Sequence, residues 1–255
     1  MAQIIAIANH KGGCGKTTST INIGAALAQM GQRTLLVDLD PQSNLTISLG
    51  IDPEGQQHNT YTALCMNDTP QPIQIAKGLE LIPSTTDLVG AELELVNKAG
   101  REQALGRMLD SLQNPYKYIL LDCPPSMGLL TLNAMTAADA VYIPLQAQYL
   151  AMQGLAKLQQ VIDQIGQQIN KRLQLGGVFI TQYDSRKVLH RNVKELAEQT
   201  LGAAVCRTTI RDNIALAEAP AMGQTIYQYA PKSKGAADYM ELAKEINKRC
   251  RNQHK

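Results

Sequence analysis

Near the start of the chain, Lys11, Gly12, Gly13, Cys14, Gly15, Lys16, Thr17 and Thr18 bring together the residue types that hold phosphate. Glycines at 12, 13 and 15 let the backbone curl until successive N–H groups point inward, and a helix beginning near Lys16 adds its positive end. Such a loop is an anion cradle. Lys16 is placed to reach the outer phosphates of a nucleotide and Thr17 to put its hydroxyl on Mg²⁺, as the G-x-x-x-x-G-K-[ST] pattern requires. The chain departs from that pattern at position 10, where His10 replaces the first glycine and is followed by a second lysine, Lys11. Carboxylates able to serve a metal or an attacking water stand at Asp38, Asp40 and Asp122, at or just beyond the ends of apolar runs.

The elements that must position these groups follow one grammar. Residues 2–8 are a nearly continuous apolar run leading into the glycine-rich turn, as expected of a buried parallel strand. Helical spacing follows at Ile21, Ile23, Ala25, Leu27, Ala28 and Met30, and Gly31 stops it. Strand-like runs recur at 33–38, 79–83, 116–122, 140–144 and 176–181, separated by helical patterns near 101–113, 128–137, 150–169 and 187–201. This alternation predicts an α/β fold: a doubly wound, mostly parallel sheet with helices on both faces. Residues 42–75, rich in Gln, Asn, Asp and Pro, read as an irregular excursion, and a last helix near 233–249 runs into a basic tail over 248–255.

Composition sets the bounds. The 255 residues are 44% hydrophobic and 18% charged, without repeats or low-complexity tracts, and predict a single domain over 1–255 with disorder confined to its last residues. The opening residues are too short for a signal peptide and no stretch approaches a membrane span, so a cytoplasmic protein is expected. Cysteines at 14, 65, 123, 206 and 250 form no C-x-x-C pair, and histidines at 10, 58, 190 and 254 are scattered, which excludes a disulfide framework and a zinc knuckle. The net charge of +2 is divided unevenly: residues 170–255 hold 15 Lys/Arg against 8 Asp/Glu, a surplus of +7, and residues 1–169 hold 9 against 14. The last third therefore presents either a polyanion-binding surface or a solvated basic helix face.

Lys11-Gly12-Gly13-Cys14-Gly15-Lys16-Thr17-Thr18 resembles the deviant Walker A motif of the ParA/MinD family of ATPases. The segment from Asp38 and Asp40 through Pro41, Gln42, Ser43 and Asn44 is similar to that family's next motif, and 119–126 around Asp122 to its Walker B. Residues 210–220 and 229–236 resemble the C-terminal stretch of the chromosomal and plasmid partition ATPases, the ParA/Soj branch. The resemblance implies a P-loop ATPase with ATP and Mg²⁺ as cofactors. Residue by residue, it implies that Lys11, Gly12, Gly13, Cys14, Gly15, Lys16, Thr17, Thr18, Asp38 and Asp122 hold the nucleotide, with Thr17, Asp40 and Asp122 at the metal. Lys11, Lys16 and Asp40 act on the transferred phosphoryl, Lys11 by crossing a homodimer interface to the partner's ATP. Asp40 is assigned the attacking water, with a swap of roles between Asp38 and Asp40 left open by strand alternation. Arg186 and Arg211 align with DNA-contacting arginines of the partition ATPases, and Lys187, Arg191, Lys232, Lys234 and the tail join them as weaker candidates.

The implied function is an ATP-gated dimer that binds non-specific DNA, associates with the nucleoid and is stimulated by a ParB-type partner. The same ATPase could position another cargo, such as a carboxysome or a chemosensory array. A MinD-like membrane switch is disfavoured because residues 247–255 offer charges without a bulky apolar face, so no stable membrane anchor is expected. An iron–sulfur protein like the nitrogenase iron protein is disfavoured because Cys65, Cys123 and Cys206 fall outside its cysteine motifs. Absence of a DNA-reading domain ahead of Met1 argues only against the larger plasmid type that represses its own operon.

Overall fold

The computed structural model describes residues 1–112, 114–148 and 151–253, with the side chains of 151–153 and 253 left aside. Three runs with every residue buried form the centre of the sheet: β1 (Gln3–Ile7), β2 (Thr34–Asp38) and β5 (Tyr118–Asp122). Around them lie β3 (Ile73–Ala76), β4 (Leu79–Ile82), β6 (Ala140–Gln146) and β7 (Gln174–Thr181), giving the order β3-β4-β2-β5-β1-β6-β7. All pairings are parallel except that of β3 with β4, so the mostly parallel sheet read from the sequence is the one observed.

Alternation along each strand divides the core in two. Ile5, Ile7, Leu36 and Leu120 face α1 (Lys16–Gln29) and the last helix, where Ile23, Leu27, Leu242 and Ile246 meet them. Ile4, Leu35, Val37, Ile119 and Leu121 face the opposite way, onto a layer formed by several helices. Short helices α2 (Asn44–Ser48) and α3 (Thr60–Cys65) precede that layer, which comprises α4 (Leu88–Val96), α5 (Ala104–Asp110), α6 (Leu129–Ala137) and α7 (Ala151–Gln168). The chain then continues through α8 (Val188–Leu201), α9 (Ala215–Ala221), α10 (Ile226–Tyr229) and α11 (Lys234–Gln253).

Several expectations need correction. The excursion at 42–75 contains α2, α3 and the antiparallel edge strand β3, whose four half-exposed residues lack the apolar continuity of a central strand. The helix near 101–113 begins as a 3-10 turn at Arg101–Gln103 and proceeds as α5, while 113 lies outside the described residues, as does 150 at the head of the helix expected over 150–169. The basic tail is not a free end. α11 runs to Gln253, Cys250 is buried, and Arg249 donates to the carbonyls of Gly176, Ala203 and Val205; His254 and Lys255 lie outside the described residues.

At one point two loops touch through glycine backbones. Gly223 after α9 has φ +65° and Gly50 after α2 has φ +75°, and a Cβ at 223 would lie 2.8 Å from the Gly50 Cα. Left-handed backbone and backbone contact both exclude a side chain. Gly223→Ala is therefore expected to cost about 2 kcal/mol in chemical denaturation, from strain and overpacking together; a loss below about 0.5 kcal/mol would show that the apposition is not required.

Candidate active site

The phosphate loop leaves β1 through Asn9, whose side-chain amide donates to the Pro144 carbonyl at 2.8 Å and whose Oδ1 accepts the Lys11 N–H at 3.1 Å. Gly13 and Gly15 are left-handed, with φ of +70° and +88°. Behind the loop, Thr181 Oγ1 donates to the Cys14 carbonyl at 2.9 Å and Gln182 Nε2 to the Gly13 carbonyl at 3.2 Å. These bonds pin the loop from β7 through its carbonyls. The first amides of α1 have no intrahelical partner, so an anion-binding end is built into the fold.

The two lysines occupy different places. Lys16 is 7% exposed and gives its Nζ to the Lys11 carbonyl at 3.2 Å. Lys11 is only half-buried on the rim, where its Nζ meets Gln148 Oε1 beyond β6. Cys14, at the loop's variable position, is buried, and burial raises its thiol pKa. His10 packs its ring over Gly154 of α7.

Register brings the carboxylates together. Asp122 pairs with Ile7 of β1 and with Asp38 of β2, so both carboxylates stand at the carboxyl edge of the sheet next to the strand that feeds the loop. Both are fully buried. Asp122 accepts from Thr17 Oγ1 at 2.7 Å and from Thr20 Oγ1 at 3.1 Å. Asp38 accepts the Asp40 N–H at 3.1 Å through Oδ1, and the Thr46 N–H at 2.9 Å and Thr46 hydroxyl at 2.7 Å through Oδ2. Asp40, 7% exposed, accepts the Gln42 N–H on its carboxylate at 2.9 Å, its one such bond among the described residues. Burial, with the charge of Asp38 adding to it, pushes Asp122 up to about 8, and burial pushes Asp38 up to about 6.

Past Thr18 lies a cleft of about 170 Å³ lined by Gly15, Thr18, Gln182, Arg211, Asn213 and Tyr239 among others. Its position at the outer end of the loop suits the base and sugar of a nucleotide. A second cleft, of about 580 Å³, shares Arg211 and Asp212 with it and adds Arg186 and Lys234. Thus three of the cations expected to meet DNA line one concavity. Lys187 is exposed at the N-cap of α8, Arg191 donates to the Ser185 carbonyl at 2.7 Å, and Lys232 is exposed on the loop before α11; none of the three lines that cleft.

Residues 2–175 match a family model described as an AAA domain. Over 96% of this chain and 98% of the relative, the sequence is 44% identical to the sporulation initiation inhibitor protein Soj of Bacillus subtilis. The chain belongs to the ParA/MinD family of P-loop ATPases, in its ParA/Soj branch. The chromosome partitioning protein ParA of Myxococcus xanthus is 43% identical over 98% of this chain and 89% of its own. Among solved structures, a Mycobacterium smegmatis protein described as cobyrinic acid a,c-diamide synthase, with bound ADP and magnesium, superposes with TM-score 0.87 at 38% identity over 98% of this chain and 96% of that one. The septum site-determining protein MinD of Pyrococcus horikoshii, complexed with Mg-ADP, shares the fold with TM-score 0.80 at 24% identity over 99% of both chains.

Sequence reasoning missed several residues that hydrogen-bond to the loop and carboxylates of this candidate site: Asn9, Thr20, Thr46, Gln148, Thr181 and Gln182. Thr20, one helical turn beyond Lys16, carried the only local signal. The raised carboxyls give a test. Both stand above the unfolded value near 4, so their protonation favours the folded chain at low pH and that contribution is lost as pH rises through about 6 to about 8. In metal-free buffer Asp38→Asn removes one of the two charges, so its melting temperature should fall less than that of the unsubstituted chain between about pH 6 and pH 8. Equal falls would contradict the coupling of the pair.

Proposed function

We propose that this chain is an ATP- and Mg²⁺-dependent switch that dimerises around nucleotide, binds DNA without sequence preference and serves chromosome or plasmid partition with a ParB-type partner. The observation that carries the reading is the division of the two lysines: Lys16 buried under the loop, Lys11 on its half-exposed rim. A buried lysine serves the chain's own phosphates, whereas a rim lysine can serve those of a second copy. Partition as the process rests on the names of the Soj and ParA relatives.

The residues fit the cofactors. Loop amides and Lys16 hold the phosphates, and Thr17 with Asp122 and Asp40 holds the metal. Among the described residues no three His, Cys, Asp or Glu gather as a closed metal site, which suits Mg²⁺, held by one or two carboxylates together with phosphate oxygens. The ion supplies charge neutralisation on the transferred phosphoryl. Asp40 orients the attacking water, because both oxygens of Asp38 are already taken by Asp40 and Thr46, leaving Asp38 to organise the 38–46 loop. Catalysis is positioning and charge stabilisation, so turnover without the partner is low. The non-specific contact with DNA needs cations that meet phosphates, supplied by Arg186, Arg211 and Lys234 in one cleft and by Lys187, Arg191 and Lys232 beside it. Membrane attachment through α11 is disfavoured because its Ile246 and Cys250 are buried against the core, which keeps these apolar side chains from lipid.

We expect Lys16→Ala to reduce ATP hydrolysis on the order of a hundredfold or more, and Arg186→Ala and Arg211→Ala each to weaken DNA binding and to lower the dependence of DNA affinity on log salt by less than the roughly one unit of a fully neutralised phosphate contact. Hydrolysis at an unchanged rate would remove Lys16 from the site, and unchanged salt dependence would move the DNA surface elsewhere. The diamide synthase name of the Mycobacterium protein points to a different chemistry. Phosphate release stimulated by DNA and a ParB-type partner, with no carboxylic acid acceptor present, separates the two readings.

A further inference from the structure

The cleft that gathers Arg186, Arg211 and Lys234 also gathers carboxylates. Arg186 gives Nε to Asp184 Oδ1 and Nη2 to Asp184 Oδ2, both at 3.0 Å. Arg211 gives Nε to Asp238 Oδ2 at 2.9 Å and Nη2 to Oδ1, and its backbone N–H reaches Oδ2 at 3.0 Å. Each arginine is thus held by two bonds along one edge of its guanidinium, in the fork geometry that a phosphate would otherwise use. The carboxylates lie behind the cations: Arg186 and Arg211 side chains are 89% and 45% exposed, those of Asp184 and Asp238 only 18% and 10%.

This arrangement has a consequence for polyanion binding. A phosphate arriving at either arginine meets a pair of near-zero net charge and must either share the guanidinium or displace the carboxylate. Sequence-independent affinity comes from neutralised phosphates and released counterions, so a cation already neutralised within the protein contributes less of both. We propose that Asp184 and Asp238 are attenuating residues, which hold Arg186 and Arg211 in two-bond pairs and so keep the cleft's grip on a phosphodiester backbone weak and quickly released. This rests on the DNA reading proposed above. It explains why a cleft that collects cations also supplies each arginine with a carboxylate of its own, one of them, Asp238, from an element 27 residues away. A carboxylate that only oriented its arginine would have the opposite effect when neutralised, because loss of orientation weakens binding.

The test uses the full chain with ATP, Mg²⁺ and duplex DNA of arbitrary sequence, titrated with KCl. Asp184→Asn and Asp238→Asn keep one acceptor oxygen for the backbone N–H bond and remove the charge together with one of the two acceptors that hold the guanidinium. Each is expected to raise affinity roughly three- to tenfold near physiological salt and to steepen the slope of log affinity against log salt by up to about one. In an Arg211→Ala background, Asp238→Asn should have no such effect. Unchanged or weakened binding at an unchanged slope overturns the proposal, as does an effect of Asp238→Asn that persists without Arg211. Should Asp238→Asn fold poorly, Asp184→Asn, in the less buried of the two pairs, decides alone. DNA binding by the unsubstituted chain that is insensitive to Arg186→Ala and Arg211→Ala would instead overturn the DNA reading, and the attenuation proposal with it.

Discussion

Two carboxylates buried side by side, Asp38 and Asp122 in register on neighbouring strands, are the constraint on which this site depends. Burial of unpaired anions is strongly unfavourable unless hydrogen bonds and nearby positive charge compensate. Here Thr17 and Thr20 from α1 compensate one, Thr46 and the Asp40 amide from the next loop the other, with Lys16 lowering the pKa of Asp122. The loop at 11–18 and the loop at 38–46 are therefore tied to a common point. A charge arriving at the cradle acts on both.

That convergence gives the proposed switch a physical basis. α1 begins in the cradle and packs its length against α11, where Ser19 Oγ meets Tyr239 OH at 3.0 Å, one residue from Asp238. Tyr239 lines the cleft beyond Thr18, and Arg211 and Asp212 form a wall common to that cleft and the basic one. On the proposed reading, nucleotide and polyanion would address adjoining surfaces that share Arg211 and Asp212. On the other side, α2, which carries Thr46, touches the loop after α9 through Gly50 and Gly223. Both routes are contiguous packing between rigid elements, the kind of connection through which two sites can bias one another.

The centre of the fold was legible in the sequence because its strands are buried on both faces. Continuous apolar runs at 2–8, 33–38 and 116–122, each followed by glycine or carboxylate, announced β1, β2 and β5 and the edge at which the chemistry stands. Other elements carried no such contrast. α4 exposes Val89, Leu93 and Val96 as well as burying Leu88, Ala91 and Leu95, so its apolar residues mark no single face. β3 is a short edge strand between prolines and a turn glycine, and α9 and α10 are too brief for a period to register. Within the site, the glycines, Lys16 and the aspartates could be read locally. Partners supplied by tertiary contact could not: Thr181 behind Cys14 and Asp238 behind Arg211 become neighbours only when the chain has folded. From the sequence Arg186 and Arg211 stand as candidate DNA contacts and Arg249 as part of a basic tail, and only the structure gives each a carboxylate partner.

In the proposed switch Lys11 belongs to the association step and Lys16 to nucleotide binding. Analytical ultracentrifugation of the chain and of Lys11→Ala, each saturated with Mg²⁺ and a non-hydrolysable ATP analogue, tests it most directly. A dimer is expected for the unsubstituted chain and a monomer for Lys11→Ala, with nucleotide binding by Lys11→Ala weakened by less than about tenfold, since the cradle and Lys16 remain. A dimer of undiminished stability in Lys11→Ala would contradict it.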